Sequence, residues 1–314
     1  MNIGLRAFSP PDGPADSLES GRKRWRPAFT TWLLSLLVLI GIGTALYPST
    51  SQWLTSYSQS KIIRNYSTQI AKSDPDASTQ LLQAQRYNDA LTSGVDILAG
   101  TAVPAGSGTS SNASLEYENI LNANDEGLMA RIKFPAASVD LPVYHGTSDA
   151  ILMQGSGHLE GSHLPIGGES TRSVITAHRG LATATMFNHL DQVGTGDRFT
   201  IEVFGEVLTY EVRDVVVVKP DETNSLRAVQ GRDLVTLVTC TPLGINTHRI
   251  LVTGERVTPT PIRDIENAGS SSTIPGFPWW ALGLGAGLML VAGLVWRAGF
   301  TDAESSRARS PETR

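Results

Sequence analysis

One cysteine, Cys240, occurs in 314 residues, so no disulfide can form within the chain. Neither a Cys-x-x-Cys nor a His-Glu-x-x-His string is present, and His158 with His163, five residues apart, is too sparse a pair to hold a metal ion. No metal and no other cofactor is expected. Charge is also thin, at 18% of residues. Residues 48–278 carry 16 basic and 24 acidic side chains, a formal −8 without a basic stripe, which argues against nucleic acid as a partner. The sequence contains no internal repeat.

Apolar residues are concentrated in two uncharged runs. Ala28 to Tyr47 is 20 residues long, enough at about 1.5 Å per residue to cross a hydrocarbon core of roughly 30 Å. Trp279 to Trp296 is shorter and glycine-rich, with tryptophan at both ends, where aromatic rings favour the membrane interface. Arg22, Lys23, Arg24 and Arg26 precede the first run, and Arg297, Arg307 and Arg309 follow the second. The positive-inside rule then predicts a two-pass protein of the plasma membrane, partnered by the lipid bilayer, with both termini cytoplasmic and residues 48–278 outside. A cleaved signal peptide fits less well, because the first run exceeds the usual length of about 7 to 15 residues and no small-x-small site follows.

The chain divides accordingly. Residues 1–27 read as a cytoplasmic tail, 28–47 as a transmembrane helix and 48–93 as a helical stalk broken at Asp74-Pro75-Asp76. Residues 94–116, rich in Gly, Ala, Thr and Ser, form a candidate lid loop. Residues 117–258 are mainly β: Leu128 to Phe134, Val139 to Val143, Val174 to Ala177, Phe199 to Val203, Leu208 to Val218, Leu234 to Thr239 and Ile250 to Thr253 read as strands between Gly, Pro and Asp turns. Seven or eight strands so spaced predict one closed or nearly closed barrel. Residues 259–278 read as a linker, 279–296 as the second transmembrane helix and 297–314 as a second cytoplasmic tail.

Within the barrel, Leu234 to Thr239 delivers Cys240 to a strand end, and Thr241-Pro242-Leu243-Gly244 breaks the strand. A returning strand from Ile250 carries Arg249 back beside it. A thiol becomes a nucleophile as thiolate or beside a histidine that takes its proton, and acyl transfer also needs donors for the oxyanion. His178 follows the short strand Val174 to Ala177 and projects from a comparable strand end; His145, His158, His163, His189 and His248 are assigned to loops or turns. Arg249 supplies a permanent charge with planar donors, and Arg179 is the second candidate. The plainer alternatives are an inert buried thiol at Cys240, a structural hydrogen bond at His178 and a surface ion pair at Arg249.

Thr236-Leu237-Val238-Thr239-Cys240-Thr241-Pro242, followed by Asn246-Thr247-His248-Arg249, resembles the sortase signature, in which arginine follows cysteine by nine residues. Thr176-Ala177-His178-Arg179-Gly180 resembles the sortase histidine segment. Gly157-His158, Leu164-Pro165-Ile166-Gly167-Gly168 and Phe187-Asn188-His189-Leu190 look like the surroundings of that segment in class C, the pilus-assembling sortases of Gram-positive bacteria. The resemblance covers roughly Tyr117 to Val257. It implies an eight-stranded sortase-type β-barrel with N-terminal helices, and a transpeptidase without cofactor. Cys240 would attack the Thr-Gly bond of a Leu-Pro-x-Thr-Gly-like sorting signal and form a thioester, His178 would act as general acid and base, and Arg249 would steady substrate and oxyanion. The implied partners are pilins or other surface proteins bearing such a signal, with a pilin lysine amine resolving the thioester.

One part of the class C pattern is missing: no Asp-Pro-aromatic triplet occurs between Tyr87 and Tyr117. Asp96-Ile97-Leu98 is the nearest substitute for a lid plug, and the Gly and Ser content around it predicts a loose gate. Three alternatives remain: a housekeeping sortase that transfers surface proteins to a peptidoglycan precursor, a non-enzymatic membrane-tethered surface module with a structural Cys240, and a cysteine protease.

Overall fold

The computed structural model describes residues 25–92, 95–96, 105–106, 109–110, 116–124 and 126–308. Leu46–Ala281 forms one compact unit, and the described residues on either side of it form another.

In the larger unit the alternating runs become strands β1 (Leu128–Phe134), β2 (Val139–His145), β3 (Ser156–His158), β4 (Thr171–Thr176), β5 (Arg198–Val203), β6 (Glu206–Val218), β7 (Asp233–Thr241) and β8 (His248–Arg256). They close into an eight-stranded barrel in the order β6-β8-β7-β4-β3-β2-β1-β5. The β2–β3 and β4–β7 pairs are parallel and the others antiparallel. Seven strands fall on the runs expected from the sequence. The eighth, β3, has three residues and no apolar alternation; it lies so close to the chain at Gly146 that a Cβ on Gly157 would meet the Gly146 carbonyl oxygen.

Side chains alternate across each strand. Phe199, Tyr210, Val235, Leu237, Ile250 and Val252 fill the barrel interior. On the opposite face of the β4-β7-β8-β6 sheet, Val174, Val238, Leu251 and Val218 form a second apolar cluster, capped by Leu226 from the β6–β7 connection.

Helix α1 (Phe29–Ile70) runs unbroken through Pro48, where the sequence divided span from stalk; one proline removes a single backbone donor, and the flanking turns keep their bonds. The stalk residues are packed onto the barrel. Tyr66 donates to the Met129 carbonyl at 2.7 Å and accepts from the Phe204 N–H at 3.1 Å. Helix α2 (Ala77–Ala90) begins where expected, because Asp76 caps it by accepting from the Ser78 and Thr79 N–H groups. Asn88 then bonds both backbone groups of Leu164.

The segment read as a linker is also docked. It contains a one-turn helix whose Asp264 accepts from Thr209 at 2.7 Å. Arg131, buried against Asp140, donates to the Ser270 carbonyl.

In the smaller unit, the first turn of α1 meets the final turns of the C-terminal helix Trp279–Ala308. The Ala28 N–H and the Thr31 hydroxyl both donate to Asp302 at 2.8 Å, and Trp25 Nε1 donates to the Trp296 carbonyl at 3.1 Å. Both helices are long and apolar enough to cross a membrane.

Candidate active site

Cys240 is the penultimate residue of β7 and pairs directly with Arg249 on β8. Opposed residues of an antiparallel pair project to the same face. On its other side β7 runs parallel to β4, the last register pair being Val238 with Thr176. The chain then stays alongside, since Ala177 N–H donates to the Val238 carbonyl at 3.3 Å and Thr239 Oγ1 donates to the Ala177 carbonyl at 2.8 Å. Continuing this register by two residues aligns His178 with Cys240. Cys240 and Arg249 thus share one end of the sheet, on the face that carries Val174, Val238 and Leu251, and the segment that leaves β4 carries His178 alongside.

Local sequence explains the alignment. Thr239 precedes the cysteine and points to the opposite face, so its hydroxyl ties the residue before Cys240 to the residue before His178. The β7–β8 turn closes through Asn246 N–H to the Pro242 carbonyl, with Gly244 and Asn246 at positive φ. Arg249 reaches back over that turn, donating through Nη1 to the Asn246 and His248 carbonyls at 2.9 and 3.0 Å. At 1% exposure it does not lie at the surface. Arg179, the second candidate for the charge, has another position: it bonds the Asn188 carbonyl and Thr241 Oγ1 and pairs with Asp191, joining the loop after His178 to the end of β7.

Burial sets the titration of the pair. It pushes the Cys240 thiol above its ordinary value, with Arg249 acting the other way. It pulls the half-buried His178 below its ordinary value, opposed by the field of Asp149. Both directions favour a neutral thiol beside a neutral imidazole. Asp149, the first residue of the short helix Asp149–Gln154, has no local sequence pattern connecting it to His178.

Three other histidines correct the sequence assignment: His248 is the first residue of β8, and His145 and His158 are the last residues of β2 and β3, not loop residues. The latter two differ from His178 in being engaged by the fold. His145 lies 2.9 Å from the Gly127 carbonyl and 2.7 Å from that of Ile120. His158 sits between Tyr117 Oη and the His163 carbonyl, and burial takes its pKa down to about 3. Among the described residues no group of three or more His, Cys, Asp or Glu could hold a metal ion. Of the lid residues, Asp96 pairs through its backbone with Ala105 in a two-residue ladder, while Ile97 and Leu98 lie outside the described residues.

Residues 132–257 match the sortase domain family. The crystal structure of sortase C-1 from Actinomyces oris is 46% identical to this chain, covers 58% of it and is itself covered to 98%, with a TM-score of 0.51. Sortase C of Streptococcus pneumoniae is 36% identical, with 64% and 98% of the two chains covered and a TM-score of 0.55. The chain belongs to the sortase family, and the solved structures it resembles are class C sortases. Sortase D of Bacillus subtilis is 27% identical over 130 residues, or 40% of this chain. The chain spans 63% of the length of that curated relative.

Proposed function

We propose that this protein is a membrane-anchored cysteine transpeptidase whose nucleophile is Cys240. The observation that carries the reading is that Cys240 and Arg249 are register partners on β7 and β8, while Ala177, the residue before His178, is hydrogen-bonded to β7 just beyond the end of β4. His178 takes the thiol proton, and the sulfur attacks the Thr carbonyl carbon of a Leu-Pro-x-Thr-Gly-like signal. The oxyanion forms beside Arg249, whose guanidinium is already held by the turn carbonyls. As the C–N bond breaks, imidazolium returns its proton to the glycine amine, leaving a thioester. A neutral incoming amine then attacks the thioester carbon, His178 takes the proton its nitrogen gives up, and that proton returns to the sulfur as the C–S bond breaks and the thiol leaves.

The acceptor we infer is a lysine amine of a pilin. The sortase C of Streptococcus pneumoniae is described by its pilin substrate specificity, and this chain shares 36% identity with it. Both termini are assigned to the cytoplasm; the meeting of Ala28 and Thr31 with Asp302 supports this, since it sets the start of α1 against the end of the C-terminal helix. Incubation of the full chain with a pilin carrying the sorting signal tests the acceptor. Isopeptide-linked ladders support a polymerase. Monomeric product joined only to a peptidoglycan-precursor amine means the housekeeping reaction instead.

A further inference from the structure

We infer that the sheet face bearing Cys240 also carries a carboxylate-binding pocket, built around Arg172, that takes an acidic side chain of the protein substrate on the N-terminal side of the sorting motif. The choice of ligand rests on the transpeptidase reading above. The pocket is a cavity of about 630 Å³ between the β6–β7 connection and strands β6 and β8. Arg172 lies in its floor at 7% exposure. Nη1 donates to Thr236 Oγ1 at 2.7 Å and Thr253 Oγ1 at 3.3 Å, whereas Nε has no hydrogen-bond partner among the described residues. No ion pair among the described residues includes Arg172. Burial, with Arg232 adding to it, holds its pKa down to about 10, and Asp214 acts weakly against them. A guanidinium buried without an ion pair is costly unless something anionic joins it.

The rest of the lining defines the anion. Arg227 is exposed and, among the described residues, also lacks an ion pair, whereas Arg232 and Arg213 are engaged by Glu255 and Glu211. One carboxylate, Asp214, lines the cavity and disfavours a multiply charged phosphate. Val217 and Val229, 60% and 40% exposed, add apolar surface that a free inorganic anion would not use. A carboxylate beside an aliphatic residue in a peptide fits this set.

Register fixes the reach. Thr236, which holds Arg172, lies four residues before Cys240 on the same face of β7, about 13 Å at about 3.3 Å per residue. Val174, Val238 and Leu251 form the apolar strip between, under Leu226. An extended peptide with its scissile carbonyl at Cys240 covers that distance in about four residues along the same line. It then enters the pocket with the residue one or two positions before the leucine.

The test uses the full-length chain in detergent and two fluorescein-labelled peptides, Glu-Val-Leu-Pro-Ala-Thr-Gly and its Gln-Val counterpart. Binding is read by anisotropy on the Cys240→Ala protein and turnover on the unmodified one. The glutamate peptide binds about tenfold tighter and shows a correspondingly lower KM at equal kcat. Arg227→Glu, at an exposed position, abolishes the difference without lowering Tm, and Arg172→Gln does the same where it folds. Equal binding of the two peptides, or a preference that survives Arg227→Glu, overturns the inference. Inorganic phosphate that binds through these arginines without any glutamate preference overturns it too. Turnover of both peptides with equal KM leaves the transpeptidase reading intact and removes the pocket. A binding preference with no turnover of either peptide keeps the pocket and removes that reading.

Discussion

Cys240 and Arg249 are register partners across β7 and β8, and the guanidinium is the more deeply buried of the two. Its Nη1 is fixed by the Asn246 and His248 carbonyls, so the charge beside the sulfur is in place before any substrate binds. A preorganised donor has no reorganisation left to do when the oxyanion forms.

Arg249→Ala is therefore expected to lower kcat/KM for a sorting-signal peptide by about 10²- to 10³-fold. Arg249→Lys recovers only part of this, because an ammonium cannot reproduce the planar fork. Full activity in the alanine variant would remove Arg249 from the mechanism.

Alkylation of Cys240 should follow pH on a curve displaced to the alkaline side of a free thiol, because burial raises the thiol. Arg249→Gln moves the curve further alkaline, since Arg249 is the influence lowering it. An acid-shifted curve would contradict a neutral resting pair.

The histidines give stability a pH dependence of definite sign. His158, His163 and His178 all lie below their ordinary value through burial. Groups with depressed folded pKa values contribute stability above the unfolded value of about 6.5 and lose it as pH falls through the folded one. Tm should decline from about pH 6.5 downward, already above the carboxylate range, and the His158 share continues to about 3. A flat Tm between about pH 7 and pH 5 would contradict the burial of these rings.

Thr239→Val keeps the shape of β7 and removes the hydroxyl that ties Ala177 to the strand. It should reduce kcat by about tenfold while costing about 1 kcal/mol of stability. A fall in Tm with kcat unchanged would limit Thr239 to a packing role.

Tyr66→Phe leaves the Met129 carbonyl and the Phe204 N–H without their shared buried partner. Loss of about 2 kcal/mol in denaturant unfolding is expected, with peptide turnover retained.

Seven barrel strands were readable because alternation survives wherever one face packs inside, as at Phe199, Ile201 and Val203. The strand Ser156–His158 was not, since its backbone pairs with β2 and β4 make it a strand, and a sequence does not display those pairs. Cys240, His178 and Arg249 could be named from strand ends and the sortase resemblance. Strand ends alone did not isolate His178, because His145 and His158 also end strands and are distinguished only by the carbonyls their rings meet. Asp149 and Arg172 had no local signal, because their positions depend on chain segments remote in sequence.

The most direct test is intact-mass analysis of the full-length chain mixed with a sorting-signal peptide and quenched in acid before amine is added. The account predicts an adduct of the acyl fragment on Cys240, cleared by an added amine and absent in Cys240→Ala. Undiminished peptide transfer by Cys240→Ala would contradict it.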